Sequence, residues 1–538
     1  MNATSFLTVT VPRFVVSGLS GGVGKTMVSL GIARSLARSG LALRAFKKGP
    51  DYIDAAWLGR AAFSPSANLD PFFSSESQLI SLFIKGTRGY DFALVEGNRG
   101  LFDGLDIDGS CSSAQLARTL SAPVLLVLDC TKMTRTAAAL VKGCLAFEPG
   151  LAVGGVILNR TGNERHQTLA RRAVEELAGV PVLGALPRRA EAFIAERHMG
   201  LAGMDEFGGA RASFAASDSA CGVAPGAFTE IRAEAAAGLS GASADASLEA
   251  LADFIEEHLD MGRIRSMAES APPLTADAPL AVEAISLAAD GGAIRPESAS
   301  FQAESASFQA ESASHAAAVR PRIGYVHDAA FWFYYRENLE ALIEAGAALV
   351  SLSLLDERPW PAVDGLYLGG GLPELHAAAL SANPLLREEL PALCRAGLPV
   401  YAECGGFIAL ARSVMVGGGS FPMAGVFAVD VELCDKPQGL GYIEAETVAD
   451  TPFYPRGLRF RGHEFHFSRR SAGDGVFPEE AYALRLLRGK GMGANARGEC
   501  FDGLTLANTF AAYSHVYAPC LPEWAPAFVG LCRLRRAK

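Results

Sequence analysis

Two short segments of this chain carry residues whose types and spacing can do chemistry. The first is Ser17-Gly-Leu-Ser-Gly-Gly-Val-Gly-Lys25-Thr26. Glycines at Gly21, Gly22 and Gly24 let backbone N–H groups turn inward around phosphate oxygens, and a helix starting at Lys25 adds its positive end. Lys25 can then reach the terminal phosphates, and the Thr26 hydroxyl can ligate Mg2+. The strict loop pattern wants glycine where Leu19 stands. Gly18 lies one residue earlier, so this is a variant of the GGxGKT kind. The second segment is Tyr401-Ala-Glu-Cys404-Gly-Gly406. A cysteine at a glycine-lined turn from strand to helix is a nucleophile elbow. The expectation there is an exposed thiol whose pKa is lowered by the helix N-terminus.

Each segment has neighbours that fit its chemistry. Asp51, Tyr52 and Asp54 lie in Lys47-Lys-Gly-Pro-Asp-Tyr-Ile-Asp54, and Glu96 and Asp103 lie in Glu96-Gly-Asn-Arg-Gly-Leu-Phe-Asp103-Gly104. An acid at the C-terminal end of a strand, beside a phosphate loop, is where a Mg2+ partner belongs, which singles out Glu96. Lys47 and Lys48 can contact phosphate or substrate carboxylates. Asn159 and Arg160 end another strand, where an amide can read an adenine edge. His166 and His198 read as structural. Upstream of the cysteine, Leu368-Gly-Gly-Gly-Leu-Pro-Glu374 offers the free N–H groups of Gly370 and Gly371 as an oxyanion hole. A cysteine nucleophile needs a base, and His463, His466 and His515 remain open as candidates.

These residues need rigid elements under them. Strands are expected at 13–17, 92–95, 123–128, 155–158 and 182–185, with a helix from 25 to about 39 closed by Gly40. That alternation is a doubly wound parallel-sheet domain over residues 1–203. A second α/β unit is expected over 320–538. It has strands at 323–326, 365–368 and 399–402, helices at 337–345, 384–396 and 406–414, and shorter β-rich segments up to about residue 515. Between the two, residues 204–319 read as a low-complexity insert and tether with a helical stretch near 247–265. A tandem FQAESAS heptad at 301–314 is too rich in Ser and Ala to bury a coiled-coil seam.

Composition removes several function classes. The chain has 538 residues, half of them hydrophobic, enough for two cores. Its net charge of −10, without a basic cluster, disfavours nucleic acid and anionic membranes as partners. Ten scattered cysteines without a CxxC pair argue against structural zinc and a disulfide framework. No secretion signal is read at the N-terminus, and a reduced, cytoplasmic setting is expected.

At GVGKT, GPDYID, EGxxGLFDG, GVILNR, LGGGxPE, AECGG and RGHEFH the sequence closely resembles the cobyrinic acid a,c-diamide synthases, over residues 12–203 and 320–520 and near 247–265. The resemblance implies an α/β chain with an N-terminal P-loop domain and a C-terminal class I, cysteine-nucleophile glutamine amidotransferase-like domain. It implies ATP and Mg2+ as cofactors, and cobyrinic acid, a tetrapyrrole, and glutamine as substrates. Two acetate side chains would be amidated through acyl phosphates. It places Asp51, Tyr52, Asp54 and Asp103 in the substrate region, Thr26, Asp51 and Glu96 at the metal, and His515 as the base for Cys404. The sequence is compatible with a homodimer. Two features depart from the family. Asn98-Arg99 stand where an apolar pair is expected in EGxxGLFDG, and no acid follows His515 to complete a triad. Related readings are the same chemistry on hydrogenobyrinic acid or nickel sirohydrochlorin. A reading of another class is a switch ATPase that makes no product.

Overall fold

The apolar runs of the N-terminal half are too short to span a bilayer and too continuous to face water. They become adjacent strands of one parallel sheet covered on both faces. The computed structural model describes residues 7–188, 196–197, 200–201, 241–276, 320–471 and 481–536. The tandem heptad and His198 lie outside the described residues. The described residues fall into two compact units, the first holding residues 7–201 and 241–276, the second residues 320–536.

In the first unit, β1 (Leu7–Val9) pairs with a strand at Leu274–Ala276 outside the main sheet. The main strands are β2 (Arg13–Gly18), β3 (Leu43–Lys48), β4 (Ala67–Leu69), β5 (Phe92–Glu96), β6 (Val124–Asp129), β7 (Val153–Thr161) and β8 (Val182–Pro187). Their order is β4-β3-β5-β2-β6-β7-β8, with every pairing parallel. The doubly wound sheet expected from sequence is therefore present, with β3 and β4 added to it. Helices α1 (Lys25–Arg38), α2 (Tyr52–Ala61), α3 (Glu76–Gly86), α4 (Ser113–Thr119), α5 (Arg135–Phe147) and α6 (Glu164–Arg172) form the crossovers. The helical stretch read near 247–265 is two helices, α7 (Gly241–His258) and α8 (Met261–Glu269). They close one face of this sheet. Leu251 and Ile255 of α7 pack on Gly31 of α1, and Ile264 of α8 joins the same apolar cluster. A polar row flanks that seam: Arg34 reaches Asp245 at 3.1 Å, and Arg38 reaches Asp253 and Glu256 at 2.6 Å each.

The second unit is built on one large mixed sheet. Strands Ala348–Leu352, Arg322–Val326, Gly365–Leu368, Val400–Glu403 and Thr509–Ala512 run parallel in that spatial order. Strands Cys500–Leu506, Tyr482–Arg488, Gly439–Thr447, Arg459–His466 and His515–Val516 continue it antiparallel. The helix expected at 406–414 is shorter, Gly405–Leu410, because Ser413–Val416 leaves to pair in a small separate sheet. Among the described residues no helix is long and apolar enough to cross a membrane.

Candidate active site

In the first unit, parallel register sets the site. Val16 and Lys47 both pair with Glu96, so the ends of β2, β3 and β5 meet at one level. The loop after β2 is shaped by its glycines. Gly22 and Gly24 sit at φ 70° and 92°, a left-handed conformation that other residues resist. A Cβ at Gly24 would lie 2.3 Å from the Asn159 amide, whereas Gly21 and Gly22 face open space. Gly18 ends β2 against Val23, where a Cβ would lie only 2.4 Å from Val23 Cγ2, so the displaced glycine of the variant loop leaves the room that lets the chain close on itself. Lys25 folds back onto the Ser20 carbonyl at 2.8 Å, over the loop it would serve.

Glu96 is fully buried at the end of β5. Its Oε1 accepts from the Thr26 hydroxyl at 2.7 Å and from Lys47 Nζ at 2.7 Å, while Oε2 is buried with no hydrogen bond. Burial pushes this carboxyl up, opposed by Lys47. Lys47 also pairs with Asp54 at 2.6 Å, and burial is outweighed there by Asp54 and Glu96, which hold the ammonium charged. Asp51 caps α2 through the Asp54 N–H at 2.9 Å. Its carboxyl is pushed up to about 7, first by burial and then by the charge of Asp54. A magnesium ion fits this set: a hydroxyl and a carboxylate with an unused buried oxygen are hard donors side by side. Among the described residues no group of three or more His, Cys, Asp or Glu could hold an ion alone. Phosphate oxygens and water would supply the rest. Asp103 is exposed and accepts from the Gly100 N–H at 3.0 Å, fastening the 97–104 loop. Tyr52 opens α2 beside Asp51.

Asn159 is committed to the protein: its amide donates to the Val23 carbonyl at 2.8 Å and accepts from Arg160 N–H at 2.8 Å. It buttresses the phosphate loop from β7. Arg160 is exposed and pairs with Asp129 at 2.6 Å. His166 ties Gly162 to Met133, a structural role as expected.

In the second unit, Cys404 sits at φ 49°, ψ −101° between its strand and the helix Gly405–Leu410. That strained turn requires small neighbours. A Cβ at Gly406 would lie 2.3 Å from the Leu368 carbonyl, and one at Gly405 would lie 3.0 Å from the Gly371 N–H. Gly370 in turn faces the His515 ring, 2.6 Å from a Cβ placed there. Cys404, Gly370, Gly371 and His515 are thus brought together, and the N–H of Gly371 lines the elbow. The thiol is not exposed as expected from sequence: Cys404 is 3 % accessible, and burial with the charge of Glu374 pushes its thiol up. A six-residue helix gives too little positive potential to offset that burial.

The acid missing after His515 stands before the cysteine instead. Glu403, 1 % accessible, takes His515 Nδ1 at 3.3 Å and the Tyr367 hydroxyl at 3.0 Å on one oxygen, and the Val516 N–H at 3.0 Å on the other. A carboxylate only accepts, so Nδ1 carries the proton and Nε2 is left as a base. Buried Asp502 takes Tyr513 N–H, Ser514 N–H and the Ser514 hydroxyl, which fixes the backbone leading into His515. The other two histidines are accounted for. His463 stacks on the His515 ring at 4.7 Å, with burial and His515 holding it neutral. His466 stacks on Tyr513 at 3.8 Å and bonds the Ser468 carbonyl.

Comparison with known proteins decides the family. Residues 14–201 match the CobQ/CobB/MinD/ParA nucleotide binding domain, and residues 322–519 match the CobB/CobQ-like glutamine amidotransferase domain. A cobyrinate a,c-diamide synthase of Magnetococcus marinus is 36 % identical over 98 % of this chain and 98 % of its own. The chain belongs to the cobyrinate a,c-diamide synthase family. Other members of that name come from Archaeoglobus fulgidus, 34 % identical over 95 % of both chains, and Methanothermobacter thermautotrophicus, 33 % identical over 96 % of this chain and 98 % of its own. Within this family architecture the phosphate loop belongs to the nucleotide-binding domain and the Cys404 elbow to the amidotransferase domain.

Proposed function

We propose that the chain uses ATP and glutamine to amidate the a- and c-acetate carboxylates of cobyrinic acid, in cobalamin biosynthesis. The observation that carries the glutamine half is the His515–Glu403 pair directly behind Cys404. The name its full-length relatives share supports cobyrinic acid as the substrate.

The amidotransferase domain holds a protonated thiol at rest, because burial raises it. His515 Nε2 takes that proton as sulfur attacks the glutamine carboxamide, and Glu403 stabilises the imidazolium. The N–H of Gly371 faces the developing oxyanion. His515 returns the proton to nitrogen, ammonia leaves, and water hydrolyses the thioester to glutamate. In the nucleotide-binding domain, Gly21, Gly22 and Gly24 present N–H groups to the phosphates and Lys25 reaches the terminal one. Thr26, Glu96 and Asp51 would hold Mg2+, which would neutralise phosphate charge. A substrate carboxylate attacks the γ-phosphate, ADP leaves, and ammonia displaces phosphate from the acyl phosphate to give the amide. Tyr52, Asp54 and Asp103 border the space for that carboxylate.

The test is an assay of the purified protein with MgATP and glutamine, with and without cobyrinic acid, following phosphate release and product mass. Two successive exchanges of OH for NH2 are expected. Glutamine hydrolysis without a new amide on cobyrinic acid would move the substrate to hydrogenobyrinic acid or nickel sirohydrochlorin. A folded, ATP-binding protein that leaves glutamine intact would favour the switch ATPase.

A further inference from the structure

One half-buried acid beside the elbow, with a carboxyl oxygen shut off from solvent, has no part in the chemistry above. Glu374 lies in the short turn Pro373–His376, directly after Gly370–Gly371. Pro373 touches the elbow, 3.0 Å from where a Cβ on Gly405 would sit. Glu374 is therefore delivered to the thiol by the same segment that delivers Gly371. Its Oε2 is buried with no hydrogen bond, and its carboxyl makes no ion pair among the described residues. His466 acts on it electrostatically, but its Nδ1 is already bound to the Ser468 carbonyl and its Nε2 is turned to Glu464 at 3.5 Å. Burial pushes the Glu374 carboxyl up to about 7, and its charge in turn raises the Cys404 thiol.

A buried carboxylate without a partner destabilises a protein unless something brings the partner. Glutamine presents its carboxamide to Cys404 and carries an ammonium at its other end. We propose that Glu374 receives the α-ammonium of glutamine and is the group that selects a free amino acid over other primary amides. The inference rests on the glutaminase reading of Cys404. Binding supplies the missing counter-charge in a water-poor site, where charge-assisted hydrogen bonds are strong.

The test compares hydrolysis of glutamine with hydrolysis of glutaramate, which is glutamine without the α-amino group. The full-length wild type is expected to prefer glutamine by about 100-fold or more in kcat/KM, because glutaramate leaves the acid unpaired. In Glu374→Gln that preference collapses to within a few-fold, chiefly through a higher KM for glutamine. Any effect of the substitution on the thiol itself applies to both substrates and cancels in the ratio. A wild type that turns over both equally well overturns the proposal without any variant. So does a Glu374→Gln protein, folded by its thermal melt, that keeps the wild-type ratio. A wild type that hydrolyses neither removes the glutaminase reading, a distinct result.

Discussion

Each site holds charged groups at a cost to the resting fold. Asp51 shows it most directly, since burial and the charge of Asp54 push its carboxyl up to about 7 from 3.8. Between those values the folded chain keeps a proton that the unfolded chain has released. Asp51 therefore makes the ligand-free protein less stable as pH rises through that window, with the full effect above about pH 7. Asparagine caps a helix as well as aspartate does and carries no charge. Asp51→Asn should raise the Tm of the ligand-free protein by about 2–4 °C at pH 8, with the gain shrinking toward pH 4. The same variant should lose phosphate release with MgATP, since function holds this acid where stability does not want it. Scanning calorimetry at both pH values decides it; a Tm loss at pH 8 would sink the argument. Part of this scale was legible from residue type and spacing, namely the loop, the elbow and Glu96, whereas His515 stood apart from His463 and His466 only through the family resemblance. Glu403 was not legible, because the acid was sought after the histidine. It precedes the nucleophile instead, and only the pairing of Thr509–Ala512 with Val400–Glu403 carries His515 to it. The burial of Cys404 was hidden for the same reason, being set by strands distant in sequence.

Elements were legible where their apolar runs were pure. β3 was missed because Arg44, Lys47 and Lys48 break its pattern, yet all three are buried. The two lysines are buried because the strand ends in a polar site, with Lys47 answered by Asp54 and Glu96, while Arg44 at the other end bonds the Pro65 carbonyl. The helical stretch near 247–265 was read correctly as helix, but its place against α1 could not be read, since Gly31 marks a seam only once the partner is known. That seam is testable. Alanine is the better helix former by about 1 kcal/mol, so Gly31→Ala in a free helix would stabilise. Here its Cβ would fall 2.3 Å from Ile255 Cγ1, so α7 must shift. Gly31→Ala should instead destabilise by about 1–3 kcal/mol through overpacking. Ile255→Ala alone should destabilise by about 2–5 kcal/mol. In the double variant the two losses should fall short of their sum, because the new methyl occupies part of the space Ile255 vacates. Strict additivity in urea unfolding would mean that α7 does not lie on Gly31.

At the scale of the whole molecule, the two α/β units were legible because each carries one chemistry complete in itself. In the reaction proposed above, the first would activate a carboxylate and the second would release ammonia. Neither yields an amide alone, so the two half-reactions should separate cleanly by substitution. Cys404→Ala removes the sulfur that forms the thioester. Amidation driven by glutamine should fall by roughly 10³-fold or more, the scale of losing a covalent nucleophile. Amidation driven by ammonium chloride at alkaline pH should persist, since phosphate transfer uses none of those residues. Lys25→Ala removes a cation from the terminal phosphate. It should lower amidation from either nitrogen source by about 10²–10³-fold, the scale of losing one transition-state charge contact. Its glutamine hydrolysis should continue, because Cys404, Glu403 and His515 are untouched. Product mass and glutamate release, measured on both variants with both nitrogen sources, give four readings. Ammonia-driven amidation surviving in Lys25→Ala would remove phosphate transfer from this loop. Glutamine-driven amidation surviving in Cys404→Ala would remove the thioester. Loss of all activity in both would mean that neither unit works without the other's intact site, and that the separation drawn from their geometry is too sharp.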